Sequence, residues 1–338
     1  MEYKRLGRTG LKVSQLCLGT MTFGNQCDST SSHEILNYAL EAGISFIDTA
    51  DIYPANGIPE AIGETERIIG QWLGPHRDEV VLATKFWAPT GPNPWQGGAS
   101  RRNIRDSVEA SLRRLQTDYI DLYQVHFPDY ETPIDETLQA LDDLVRQGKI
   151  LYAGCSNYPA WLLALTLGTS EAKGLIRFDC VQPRYNLLFR EPERDLYSLC
   201  NFEDIAVIPY NPLAGGLLSG KHSKNAPLDG TRFTLEGGQG KRYMERYWAE
   251  KSHETVDLLR PIAEQAGISL AQLAVGWVLA NPVVTSPIVG ATNPKQLDDA
   301  IQVVAEPLDE ATVEALNDLT AAFRKGDTSV QFRREERG

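Results

Sequence analysis

The chain is poor in cysteine: five in 338 residues, at Cys17, Cys27, Cys155, Cys180 and Cys200, with no CxxC pair. An odd count without paired spacing excludes a disulfide framework and a zinc ribbon, and reads as reduced thiols packed as small hydrophobes. No run of about 18 apolar residues occurs, so no segment is predicted to span a membrane. The start, Met1-Glu-Tyr-Lys-Arg, lacks the apolar core of a signal peptide, and the cytoplasm is the expected location. Positive charge is in deficit. A net charge of −12 argues against nucleic acid or an anionic membrane as partner.

Several motifs are missing as well. GxGxxG is absent, which argues against a Rossmann dinucleotide site. The histidines, His33, His76, His126, His222 and His253, show neither HxxxH nor HExxH spacing, so no metal is expected. The run from Gly215 to Lys221 fits seven positions of a phosphate-binding P-loop, but His222 stands where a magnesium-binding hydroxyl belongs. A loop that holds phosphate through backbone amides remains open there. Gly154-Cys-Ser156-Asn-Tyr158 begins like a nucleophile elbow and lacks its closing glycine.

What is present is a regular alternation. Short apolar runs at 16–19, 45–49, 80–85, 120–126, 150–156, 178–182, 206–210 and 286–290 read as eight strands, several apolar throughout as parallel strands buried on both faces must be. Amphipathic stretches at 32–42, 60–73, 100–115, 133–147, 159–167, 192–201, 252–266 and 294–304 read as helices between and after them. Ser100 is the expected N-cap of its helix. This pattern predicts an α/β fold, a (β/α)8 TIM barrel. Residues 2–14 suggest an N-terminal β-hairpin turning at Gly7-Arg8-Thr9-Gly10, 221–250 a long polar loop, and 306–323 an extra C-terminal helix before a charged tail. No linker or low-complexity tract is visible, so residues 1–338 are read as one domain.

Chemistry in such a barrel sits at the C-terminal ends of the strands. The second strand leads into Asp48-Thr-Ala-Asp-Ile-Tyr53, the third ends at Lys85 and the fourth at His126. Each has a plainer reading: a solvated lysine, a core imidazole, a tyrosine cap, a carboxylate bonded to local amides. Together they fit one task. Carbonyl reduction leaves a developing alkoxide that needs a proton. A phenol is a weak acid, with a pKa of about 10, and a nearby ammonium favours its phenolate. Tyr53 is thus the expected acid, Lys85 its tuner, Asp48 the anchor of Lys85, and His126 the group that orients the carbonyl oxygen. Trp87, Trp95 and Phe127 are candidates for an apolar mouth, with Trp95 equally suited to packing its loop.

The chain resembles the aldo-keto reductases from Tyr3 to about Ile301, and within them a bacterial branch similar to potassium-channel β-subunits and the Tas-like reductases. The resemblance is carried by Gly19-Thr20-Met21, the Asp48–Tyr53 run, Ala83-Thr-Lys85-Phe-Trp, the stretch from Leu115 through His126 to Pro128, Gly154-Cys-Ser156-Asn157, Pro209-Tyr210-Asn211-Pro212-Leu213, and Ile288-Val-Gly290-Ala-Thr292-Asn-Pro-Lys-Gln296-Leu. It implies the catalytic set Asp48, Tyr53, Lys85 and His126. It also implies an NADP cofactor whose carboxamide meets Ser156, Asn157 and Gln182, whose ring stacks on Tyr210, and whose pyrophosphate lies in the loop from Pro212 through Gly215 to Lys221. The adenosine phosphate would lie at Gly290, Thr292 and Gln296, where Asn293 and Pro294 look like N-cap and N1 of a helix.

Two departures stand out. Asp299-Ala300 replace the family's adenine-holding Glu-Asn. Gln296 replaces a frequent arginine, with Arg232 as the candidate compensating cation, and NADPH is expected over NADH. The leading expectation is a reductase of small or aromatic aldehydes and some ketones, acting on a small-molecule carbonyl. A redox-sensing, NADP-binding regulatory subunit and a sugar or polyol dehydrogenase are the alternatives. Channel-associated relatives commonly carry asparagine at the position of His126, so the imidazole here favours catalysis. Oligomeric state is not readable from the sequence.

Overall fold

The computed structural model describes residues 1–236 and 238–326. Two short strands, β1 (Tyr3–Arg5) and β2 (Lys12–Ser14), pair antiparallel as the expected hairpin. Eight strands follow: β3 (Cys17–Gly19), β4 (Phe46–Asp48), β5 (Val81–Phe86), β6 (Ile120–Val125), β7 (Ile150–Ser156), β8 (Phe178–Gln182), β9 (Ala206–Val207) and β10 (Ile288–Gly290). They run parallel in the order β10-β3-β4-β5-β6-β7-β8-β9. The two ends of that sheet meet: Val207 bridges Val284 in parallel, Thr285 N–H donates to Val207 O at 2.8 Å, and Ile288 N–H donates to Pro209 O at 2.8 Å. The sheet is therefore a closed barrel, as expected.

Two cores result. One lies between the barrel wall and the helices. The other fills the barrel, where Phe46, Ala83, Leu122, Cys180, Ala206, Ile208 and Ile288 are joined from below by Leu6 and Val13 of the hairpin. Full burial of such side chains stabilises by about 1.5–3 kcal/mol each. The hairpin sits so close that a Cβ on Gly7 (φ +56°) would lie 2.6 Å from the carbonyl oxygen of Asp204, so the tight turn needs glycine.

The helical ring comprises α1 (Ser29–Glu41), α2 (Glu64–Leu73), α3 (Arg101–Leu115), α4 (Ile134–Arg146), α5 (Ala160–Lys173), α6 (Leu196–Glu203), α7 (Gln239–Tyr247), α8 (Glu250–Ala266), α9 (Leu270–Ala280), α10 (Asp298–Ala305) and α11 (Glu310–Leu319). Ser100 caps α3 as expected, and Asp28 caps α1, which therefore starts three residues earlier than the pattern suggests. Three expected helices open as 3₁₀ turns, Pro59–Ala61, Glu191–Arg194 and Pro294–Leu297, before α2, α6 and α10 begin. Two helices escape the sequence reading. The α9 segment is apolar nearly all round because eight of its eleven residues are buried, which erases the one-sided pattern that marks a surface helix. The second, α7, interrupts the expected polar loop; Gly240 packs against the Leu235 carbonyl, and Tyr243 and Tyr247 turn inward. The charged tail lies outside the described residues beyond Gly326. Among the described residues no single helix is long and apolar enough to cross a membrane.

Candidate active site

Parallel register sets the chemistry at one rim. Asp48 ends β4, Lys85 lies on β5 opposite Gln124 of β6, and His126 follows β6 directly, its N–H on the Phe86 carbonyl at 2.9 Å. Lys85 is fully buried. Its Nζ donates to Asp48 Oδ2 at 2.6 Å and to the Thr49 carbonyl at 2.7 Å, and lies 5.1 Å from the centre of the Tyr53 ring. The Tyr53 and His126 rings meet edge to face, centroids 5.8 Å apart. The four expected residues are thus brought together.

Burial alone would discharge Lys85, but Asp48 and the Tyr53 phenol outweigh it and hold the ammonium above its ordinary pKa. For Tyr53 the balance differs from the sequence expectation. Burial pushes the phenol up, Lys85 pulls it back only in part, and Asp48 and Tyr243 push up again. His126 differs too. Burial, then Lys85 and Arg242, push its pKa well below the usual imidazole value, which favours the neutral ring. Its Nδ1 is buried without a hydrogen-bond partner.

Gln124, which the motif reading left without a role, and Gln182, expected at the cofactor, complete the support. Gln124 Nε2 donates to Asp48 Oδ1 at 3.2 Å, and Gln182 Nε2 donates to the same oxygen at 2.9 Å. Gln124 precedes His126 by two, and strand alternation was the available signal. Gln182, expected at a carboxamide, here bonds the Asp48 carboxylate. Behind the lysine, Asp51 is buried with both carboxylate oxygens unpartnered; burial and the neighbouring Glu66 raise its pKa well above the usual range.

The expected cofactor residues line up from β7 round to β10. Ser156 Oγ donates to the Gln182 carbonyl at 2.8 Å. Asn157, with φ of +61°, donates to the His126 carbonyl at 3.0 Å and accepts from the Tyr210 hydroxyl at 2.8 Å, which fixes the tilt of the Tyr210 ring. Beyond Asn211, Pro212 and Leu213 the backbone turns at Gly215 (φ +72°) and Gly216 (φ +102°), where a Cβ on Gly215 would lie 2.6 Å from Tyr243 Cδ1. The cradle is closed by Tyr243, whose hydroxyl takes a 2.7 Å bond from Arg232 Nη1 and donates to Asn211 Oδ1 at 3.3 Å. Arg232 borders Gly290: a Cβ there would lie 3.4 Å from its Nη2 and from the Gly19 carbonyl. Lys221 is exposed at the loop end. This glycine-lined cradle, with the Asn211 amide nitrogen buried and unpartnered, fits a phosphate-bearing cofactor.

Other expected residues are engaged within the protein. Thr20 Oγ1 donates to the Asp48 carbonyl at 2.9 Å, and Met21 packs on the core. Gln296 Oε1 folds back onto the Thr292 N–H at 2.8 Å. Asn293 takes the N-cap position without a side-chain cap bond. Ala300 is a core residue. Trp87 and Phe127 pair at 5.2 Å beside His126. Trp95 is exposed under the guanidinium of Arg102 on α3, 4.6 Å from its ring centre.

A family profile, the aldo/keto reductase family, matches residues 15–321. The chain belongs to the aldo/keto reductase family. It is 40% identical over 328 residues to the uncharacterised oxidoreductase YrpG of Bacillus subtilis, covering 94% of this chain and 96% of the other. It is 37% identical to a probable voltage-gated potassium channel subunit beta of Arabidopsis thaliana (90% and 91% covered), and 36% identical to Protein tas of Escherichia coli (94% and 98% covered). As an aldo/keto reductase the chain is an oxidoreductase on a (β/α)8 barrel.

Proposed function

We propose that this aldo/keto reductase reduces small or aromatic aldehydes and ketones to alcohols with NADPH. The observation that carries the reading is the buried Lys85 ammonium, held by Asp48 at 2.6 Å and set 5.1 Å from the Tyr53 ring. A charge so placed favours any step that leaves negative charge on the phenol. The nicotinamide, when bound, supplies the hydride for the carbonyl carbon. Tyr53 Oη then gives its proton to the carbonyl oxygen, and Lys85 stabilises the phenolate left behind. The neutral His126 ring directs the oxygen toward Tyr53, and Trp87 with Phe127 excludes water from that side.

Tyr210 would carry the nicotinamide face, Ser156, Asn157 and Gln182 its amide, and the turn from Pro212 to Lys221 the pyrophosphate. Arg232 beside Gly290, together with Thr292 and Gln296, would take the 2′-phosphate, which supports NADPH over NADH. Five free, buried cysteines support a reducing compartment such as the cytoplasm.

The test is steady-state turnover of NADPH and NADH over a panel of aldehydes, ketones and sugars, with polyols and NADP⁺ for the reverse direction. Turnover of about 1–1000 per second on a good carbonyl is the expected outcome. Slow turnover across the whole panel, unchanged in His126→Asn, would replace the enzyme with a redox-sensing subunit.

A further inference from the structure

The loop after the seventh barrel strand holds an imidazole that carbonyl reduction does not use. His222 is buried, and its Nδ1 accepts from the Leu228 N–H at 3.2 Å. The ring proton therefore sits on Nε2. That nitrogen is buried too and has no hydrogen-bond partner. The ring is wedged edge to face against Phe233 and Trp248, with centroids 5.0 and 5.6 Å away. Burial first, then Lys221 and His253, push its pKa down to about 4. Near neutrality His222 is a rigid, neutral donor whose proton has nowhere to go. Leaving a buried donor unsatisfied is unfavourable; a phenylalanine would fill the same aromatic nest without the Nε2 donor, though also without the acceptor for the Leu228 N–H.

What Nε2 faces is specific. A Cβ built on Gly216 would lie 3.7 Å from His222 Nε2, 3.7 Å from Lys221 Cε and 3.9 Å from Lys221 Nζ. With φ of +102° at Gly216 and +72° at Gly215, glycine keeps this gap open. Its rim carries one neutral N–H and one ammonium, the donor set for an anionic oxygen. The gap belongs to the turn that the functional reading gives to the cofactor's pyrophosphate, while Arg232 serves the separate end at Gly290.

We propose that His222 Nε2 donates a hydrogen bond to a pyrophosphate oxygen of the nicotinamide cofactor, beside Lys221, and so acts as a positioning residue for it. The inference rests on the reading of this cradle as a dinucleotide site. It makes His222 a contributor to affinity common to NADPH and NADH, in contrast to Arg232.

Three ligands separate the contributions by calorimetric titration of the full chain: NADPH, ADP-ribose, which has the pyrophosphate without the 2′-phosphate, and 2′-AMP, which has the 2′-phosphate without the pyrophosphate. His222→Phe should weaken NADPH and ADP-ribose about tenfold, the size of one hydrogen bond to a charged group, and leave 2′-AMP unchanged. Its ligand-free melting temperature should stay close to that of the unsubstituted protein, because the orphan Nε2 donor is gone while the Leu228 N–H loses its acceptor. His222→Gln, which keeps a donor, should recover most of the affinity. Equal NADPH binding by His222→Phe and the unsubstituted protein would overturn the proposal. So would an equal loss for 2′-AMP, which would make His222 a packing residue for the whole loop. Failure of the unsubstituted protein to bind NADPH at all would instead overturn the cofactor reading, and this proposal with it.

Discussion

Gln239, at the start of α7, donates from Nε2 to the carbonyl of Pro54, 2.7 Å away. The same nitrogen donates to the Ala55 carbonyl at 2.5 Å, so two hydrogen bonds tie the excursion after the seventh strand to the turn that carries Tyr53. On the proposed reading, the chain crosses over the bound cofactor between these two points. Each such hydrogen bond is worth about 0.5–1.5 kcal/mol net, so Gln239→Ala, which removes both, should speed NADPH dissociation roughly five- to a hundredfold. Stopped-flow release into excess NADP⁺ measures it. An unchanged rate would mean that α7 does not restrain the cofactor.

Tyr53→Phe removes the proposed acid and little else. Carbonyl reduction should fall at least about a hundredfold, the lower end of what a positioned acid contributes. Circular dichroism and NADPH affinity should match those of the unsubstituted protein. Retained turnover in a folded variant would assign the proton to another group.

Lys85→Met leaves Asp48 buried without its cation. Loss of one partner of a buried pair costs about 3–5 kcal/mol, visible in chemical denaturation. The double variant Lys85→Met with Asp48→Asn should regain much of that stability, because the charge is gone and Gln124 and Gln182 still have an oxygen to bond. It should stay inactive. Recovery of activity together with stability would make the ion pair purely structural.

Arg232→Ala should weaken NADPH about tenfold or more and spare NADH, since a charge-assisted bond to a 2′-phosphate is worth about 1.5–3 kcal/mol. Equal losses would place Arg232 elsewhere along the cofactor. Tyr243→Phe should show a smaller change of the same sign, because its hydroxyl takes a bond from Arg232 Nη1 at 2.7 Å.

Asp179 makes stability depend on pH away from the site. Burial raises its pKa to about 6, against the opposing pull of Arg177 and Arg8. A carboxyl whose folded pKa is raised contributes stability that is complete below its unfolded pKa and is lost as pH rises through the folded value. Asp179→Asn should therefore be more stable than the unsubstituted protein at pH 8, by up to about 3 kcal/mol, with the gap closing by pH 4. Melting curves at pH 4, 6 and 8 settle it; a gap of one size at all three would exclude the carboxyl as its source.

Much of the architecture was legible because parallel strands need runs apolar on both sides, and all eight runs contain strands. Legibility failed where tertiary packing replaced pattern. Residues 270–280 are apolar all round and hid a helix; residues 239–247 are polar, and their helix leans on Pro54 and on inward tyrosines. That Asp48, Tyr53, Lys85 and His126 would meet was readable because they fall at or just beyond the ends of consecutive strands. Environment was not readable. That Lys85 fails to bring Tyr53 below its ordinary pKa, and that His126 stays neutral, follow from burial that no single sequence records. By motif alone the glycine turn at 215–216 is a broken P-loop, and only the resemblance gives it to a pyrophosphate; the walls that Tyr243 and Arg232 bring from later in the chain were not readable.

The hairpin that closes the barrel floor also constrains the order of assembly. Leu6 and Val13 come before every barrel strand in the chain, yet the recess they fill exists only once β10 has come to lie beside β3. Lys4 marks the span: its ammonium bonds the Val284 carbonyl, 280 residues away. Leu6 and Val13 reach full burial only with both ends of the ring in place, so docking of the hairpin is expected to be a late step of folding, a latch on the finished ring.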